Sequence, residues 1–188
     1  MPLKNRFPLA QVPQEIQAHF NSEPWCTKLF QDHTLQALTG ETTSTLMGKT
    51  LSTDSTIIAK QIFQKLPEPG SKKEFTEAIC LFRLGGDIDG HHNTAHGGFL
   101  SVLMDEILGY AIESETPKGK ATMTAYLKVD YKKPVRTPGI VLARGVVLKK
   151  EGKKLWLKGT IENGEGVPYA TGEALFVVVE RVKRLPKL

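Results

Sequence analysis

The segment from Gly97 to Ser114 constrains this chain more than any other. Read as a helix it makes about five turns. Leu100, Leu103, Met104, Ile107, Leu108, Ala111 and Ile112 fall on a broad stripe of it, and before Glu106 its only charge is Asp105. A helix so nearly apolar all round is buried on most sides, so the rest of the chain has to wrap it. The wrapping material is at hand. Residues 121–131, 140–148, 154–162 and 169–182 carry β-branched and aromatic residues between Gly, Pro and Asn turns, and 74–84 reads as a further strand ahead of the helix. The pattern predicts an α+β fold, an antiparallel sheet wrapped around one central helix. One sheet and one helix leave surface that a second copy is expected to cover.

The strongest punctuation is Pro67-Glu68-Pro69-Gly70-Ser71. It sets an expected division between an N-terminal helical extension, 1–70, and a main domain, 71–188. In the extension, 12–20 reads as a short helix and Pro24-Trp25 opens a second. Residues 39–56 read as a loop, and 57–66 as a helix or a strand.

Composition narrows the function classes. With 188 residues, 40% hydrophobic and 24% charged, disorder, collagen and coiled coil are excluded. No run approaches the ~20 apolar residues of a membrane span. The charge of +5 suits phosphate groups, nucleic acid or acidic lipid. Cys26 and Cys80 share no metal or CxxC spacing and read as reduced thiols of an intracellular protein. The start, Met-Pro-Leu-Lys-Asn-Arg-Phe-Pro, has too few apolar residues for a secretory signal and is acid-free up to Glu15, so the expected location is cytoplasmic or mitochondrial.

The chemistry concentrates in His96-Gly97-Gly98-Phe99-Leu100-Ser101-Val102-Leu103-Met104-Asp105. Two glycines at a helix start let a ligand approach the first amides, which have no intrahelical acceptor and sit at the positive end of the dipole. Such an end binds an anion or a developing oxyanion. A glycine start required only by sterics is the plainer alternative. Asp105 is a poor mid-helix residue on an apolar face, so it needs solvent, a cavity or a partner. It is a general-base candidate, or else a carboxylate paired with a lysine. Gly98 and Asp105 lie seven residues apart, roughly 10 Å along the axis. One straight helix cannot bring both to one carbonyl, so if both act they come from different copies of the chain. His91, His92 and His96 offer no closed metal set, and no metal is expected. His96 is placed to order the turn or to bond a ligand carbonyl. Phe99, Tyr110 and Trp156 read as core or as pocket lining.

Taken together, Asp89-Gly90-His91, His96-Gly97-Gly98, Asp105-Glu106 and the strand Thr124-Ala125-Tyr126-Leu127-Lys128-Val129-Asp130-Tyr131-Lys132-Lys133-Pro134 resemble hotdog-fold acyl-CoA thioesterases, in the branch of the phenylacetate-pathway-like and eukaryotic thioesterase-superfamily members. The resemblance covers about 74–182. It implies hydrolysis of an acyl-CoA thioester, with Asp105 as general base or nucleophile, Gly98 as the oxyanion amide and His96 supporting the carbonyl or the turn. It also implies that Thr124, from the neighbouring subunit, orients the water or Asp105, and that Asp130, Lys132 and Lys153 contact coenzyme A, with Gly97 and His91 also lining the substrate. No cofactor is implied beyond the coenzyme A of the substrate, and the active sites are expected between the subunits of a homodimer or tetramer. Asn93 stands where a glycine is frequent, a substitution that a left-handed backbone tolerates. The alternatives are a thioesterase acting on carrier-protein-bound chains and a non-catalytic acyl-CoA-binding protein. An enoyl-CoA hydratase is disfavoured because no His follows Asp105, and nucleic-acid binding because the lysine hairpin near Gly152 lacks interleaved aromatics.

Overall fold

The computed structural model describes residues 5–7, 12–39, 44–68, 70–71 and 74–181. Among the described residues three α-helices, α1 (Gln14–Ala18), α2 (Pro24–Gln31) and α3 (Gly97–Glu113), and a π-helical turn, Leu46–Thr50, inside the stretch expected as a loop, accompany ten strands. The strands are β1 (Asn5–Phe7), β2 (Leu35–Thr39), β3 (Ile57–Lys65), β4 (Glu77–Leu84), β5 (Asp89–His91), β6 (Thr94–Ala95), β7 (Lys120–Tyr131), β8 (Gly139–Glu151), β9 (Lys154–Glu162) and β10 (Pro168–Glu180). Eight of them form one antiparallel sheet in the order β1-β2-β3-β4-β8-β9-β10-β7, and β5 and β6 form a separate hairpin.

The sheet curves around α3, as expected from the apolar helix. Leu103, Met104, Ile107 and Leu108 are fully buried against the inner faces of the strands. Truncating such a side chain to alanine removes about 2–5 kcal/mol of stability. Three glycines let the helix lie this deep. Gly145 pairs with Gly159, and Gly159 with Gly172, so they stand in one row across β8, β9 and β10. A Cβ would come within 2.8 Å of Ile107 O at Gly145, 2.7 Å of Met104 Sδ at Gly159 and 2.6 Å of Met104 Cγ at Gly172. No real Cβ contact is that short, so the row is the bed of the helix.

The outer face has its own core. Phe20 and Cys26, from the α1–α2 region, pack on Ala37, Ala59, Phe63, Ile79, Leu81 and Leu142. Phe30 meets Phe63 edge to face at 5.5 Å. Strand β4 is therefore buried on both sides, with Ala78, Cys80, Phe82 and Leu84 turned to α3 and Ile79 and Leu81 to the outer helices.

That packing corrects the expected helical extension. Residues 57–65 form a strand, paired with β4 from Ile57↔Leu84 to Lys65↔Glu77, and β1 and β2 continue the same sheet. The sheet thus crosses the division expected at residue 70. Proline and glycine mark a connection between neighbouring strands as readily as a domain edge, and here the strands on either side of them pair.

Candidate active site

Helix α3 begins at His96, whose backbone is extended and whose Nδ1 accepts from Gly98 N–H at 2.9 Å. A histidine thus does the work usually given to Ser, Thr, Asp or Asn at this position. The Gly98 amide, expected as the oxyanion donor, is therefore already engaged. Tyr131 Oη donates to Gly97 O at 2.8 Å and lies 2.7 Å from Ser101 Oγ. Both polar groups of the peptide joining Gly97 to Gly98 are thereby held. His96 O accepts from Phe99 and Leu100 N–H at 3.0 and 3.2 Å. Gly97 N–H is left without an acceptor among the described residues. The loop before the helix is tied down as well. His96 N–H bonds Ile88 O, Ala95 N–H bonds Val135 O, and Thr137 donates its hydroxyl to Asp89. Asn93 takes the left-handed backbone anticipated for it, with φ +52°.

Asp105 lies half-buried on the open side of α3, with Gly98, Ser101, Val102, Glu106 and Gly109. Its Oδ1 accepts from Thr124 Oγ1 at 2.8 Å. The contact is made within one chain, where the sequence reading expected Thr124 to arrive from a neighbouring subunit. Thr124 faces the helix because it stands beside Phe176, an inward residue of β10, at a register shift between Leu175 and Phe176. Such an irregularity re-aims the side chains next to it. Along the unbroken helix, Gly97 N–H and Asp105 are separated by about 12 Å, so one chain does not bring them to the same atom.

The other expected ligand-contacting residues are dispersed. Asp130 is 3.4 Å from Lys128 in an exposed ion pair near the end of β7. Lys132 follows it, its amide bonded to Tyr169 O. Lys153 sits in the β8–β9 turn, where its carbonyl accepts from Val178 N–H, and Val178 pairs with Thr122 near the start of β7. Lys132 and Lys153 are therefore at opposite ends of a strand that spans about 36 Å, and one chain does not unite them. His91 is exposed on the hairpin, opposite Thr94. Of the neighbouring lysines, Lys149 pairs with Glu151 and lies 5.4 Å over Trp156, and Lys150 bonds Glu115. Phe99 and Tyr110 are core residues, 8% and 9% exposed.

Tyr131 and Ser101, which meet at the start of α3, were given no role by the sequence reading. The available signal was a tyrosine closing the Thr124 strand, three residues before Pro134, but its contact with the helix start is tertiary.

Residues 92–170 match the family described as the thioesterase superfamily. The rat protein named acyl-coenzyme A thioesterase THEM4 is 32% identical over 108 residues, covering 57% of this chain and 45% of its own. The matched stretch therefore spans about half of that relative. Among solved structures, a Bacillus halodurans protein crystallised with CoA superposes with a TM-score of 0.50 at 22% identity, over 54% of this chain and 66% of its own. A Streptococcus pneumoniae hypothetical thioesterase with coenzyme A gives 0.54 at 17% identity, over 69% and 95%. The hotdog fold, with its sheet wrapped around the HGG helix, is that of the chain, and the resemblance to thioesterases read from the sequence is borne out.

Proposed function

We propose that the chain hydrolyses acyl-CoA thioesters, with Asp105 as the base and with each active site shared between two copies. The observation that carries this reading is the bond from Thr124 to Asp105, which fixes a carboxylate on the open stripe of a mostly apolar helix. The names of the relatives point the same way.

In this reading Thr124 holds one carboxylate oxygen of Asp105, and the other takes a proton from water. The water oxygen attacks the thioester carbonyl carbon, and the carbonyl oxygen becomes an oxyanion. The donor to that oxygen is the unengaged Gly97 N–H at the positive end of α3, in place of the occupied Gly98 amide. Spacing requires it to be the partner subunit's Gly97. The C–S bond then breaks. The proton held on Asp105 passes to the departing thiolate, leaving a carboxylic acid and free coenzyme A.

The open edge of β7 supports the dimer. It is twelve residues long and carries Met123, Tyr126 and Tyr131, which are 63%, 49% and 53% exposed. A long edge of this kind is a template for pairing with another chain. Antiparallel pairing of two β7 strands brings the partner subunit's Lys153 towards Lys132, so that lysines one chain keeps apart meet around coenzyme A phosphates.

The test is Asp105→Asn, assayed by thiol release from a series of acyl-CoAs and by calorimetric binding of coenzyme A. Turnover is expected to fall by about 10²–10⁴-fold while coenzyme A still binds. An Asp105→Asn protein that turns over at the wild-type rate overturns the assignment. Binding without release by the wild type itself favours the non-catalytic alternative.

A further inference from the structure

Among the described residues, three buried side-chain polar atoms have no hydrogen-bond partner: Gln36 Oε1, Lys60 Nζ and Gln64 Oε1. They share one patch. Gln36 and Gln64 stand opposite each other across β2 and β3, and Lys60, four residues before Gln64, points to the same face. That face is the inner one, because Leu38 and Ile62, which alternate with them, belong to the core around α3. Across from the patch, Gln64 Nε2 donates to Ser114 Oγ at 3.4 Å, and Tyr110 Oη donates to Glu106 Oε1 at 2.5 Å. Lys60 and Glu106 both lie close enough to Cys80 to act electrostatically on its thiol, which burial pushes up. Buried polar atoms are almost always paired, and an unpartnered ammonium is the costliest of them to bury. Three such atoms on one inner face lack the polar partner that burial calls for.

Glu106 follows Asp105 on α3, about 100° further round the helix. The patch therefore flanks α3 on the side away from Thr124, from the level of Glu106 to that of Ser114, which lies nine residues, or about 13.5 Å along the axis, beyond Asp105. Between the two, at Gly109, a Cβ would meet nothing within 4 Å, so the way from Asp105 along the open stripe is unobstructed there.

We propose that this patch receives the far end of the acyl chain and selects chains that end in a hydroxyl. The inference rests on the thioesterase reading above. A terminal hydroxyl accepts from Lys60 Nζ and donates to a glutamine Oε1. A methyl does neither, and a carboxylate answers Lys60 but faces the Glu106 carboxylate. Sites built to bond a hydroxyl reject analogues that lack it much more strongly than apolar pockets reject an added one.

The experiment compares kcat/KM for acyl-CoAs of equal length ending in hydroxyl, methyl or carboxylate, read by thiol release. The wild type is expected to favour the hydroxyl over the methyl chain at least tenfold. In Lys60→Met, and independently in Gln64→Leu should the first variant fold poorly, the ratio is expected to fall towards one. Equal rates for hydroxyl and methyl chains in the wild type overturn the proposal and leave the thioesterase reading standing, as does a ratio untouched by both variants. No release from any chain overturns the thioesterase reading and this inference with it.

Discussion

The two ends of the sheet are unlike. At one end β1 has three residues and, among the described residues, pairs only with β2. At the other, β7 has twelve, pairs on one side with β10, and among the described residues has no strand on its second side, which carries large apolar side chains. A short edge strand guards against unwanted pairing, whereas a long one invites it. The invitation coincides with the proposed chemistry. Thr124, which holds Asp105, and Tyr131, which holds the start of α3, are both on β7. In the proposed reaction the end left bare is the end where a second copy would complete the site, because Asp105 and the Gly97 amide do not converge within one chain.

Placing like charges on the bare edge breaks this contrast most directly. In Met123→Glu/Tyr126→Glu, two copies of β7 would oppose carboxylates to carboxylates. Sedimentation is expected to show monomers and thiol release to fall about a hundredfold, the two losses tracking each other across protein concentration. Arg6→Pro, at the β1 end, is expected to alter neither. An active monomer of the β7 variant contradicts the shared site.

A smaller effect sharpens the role of Tyr131. Tyr131→Phe keeps the ring against Gly97 and removes the bonds to Gly97 O and Ser101 Oγ. With the helix start less firmly oriented, kcat is expected to drop about tenfold with KM within twofold. A change confined to KM indicates that Tyr131 binds substrate and does not position the amide.

The smallest effect belongs to the β1–β2 end. Asp32 accepts from Thr34 Oγ1 at 2.7 Å and from Thr34 N–H at 2.9 Å just before β2, and the hydroxyl bond foremost holds its carboxyl below the ordinary 3.8. The folded value lies beneath the unfolded one, so these bonds stabilise at neutral pH, and that stabilisation is lost as pH falls through the folded value. Asp32→Ala is expected to lower stability at pH 7 by no more than about 0.5 kcal/mol, since the group is largely exposed. Chemical denaturation should find the gap to the wild type closing below pH 3.8, with thiol release unaffected at pH 7.

Legibility in the sequence followed the strength of the burial signal. The apolar run read as 97–114 is a helix over Gly97–Glu113, and 154–162 is a strand over the same residues. Strand β2 went unread because Leu35-Gln36-Ala37-Leu38-Thr39 is short and mixes polar with apolar residues. Its strand character comes from pairing with β3 and from the cover of α1 and α2. In the site, Asp105 and Thr124 were legible as a pair of residue types, and the structure joins them. That Gly98 N–H is spoken for was not, since it depends on the His96 side chain folding back onto its own helix. Nor was the isolation of Lys132 from Lys153, which follows from the length of β7 and the place of the β8–β9 turn.

The row Gly145, Gly159 and Gly172 acts as a shim of zero thickness under α3. Even one methyl group inserted there has to lift or roll the helix, and Asp105 rides on that helix while Thr124 stays on the sheet. The gap between the Asp105 carboxylate and the Thr124 hydroxyl is thus calibrated from the opposite wall of the molecule, by three residues that touch neither. Substitutions in the row should detune turnover before they unfold the chain.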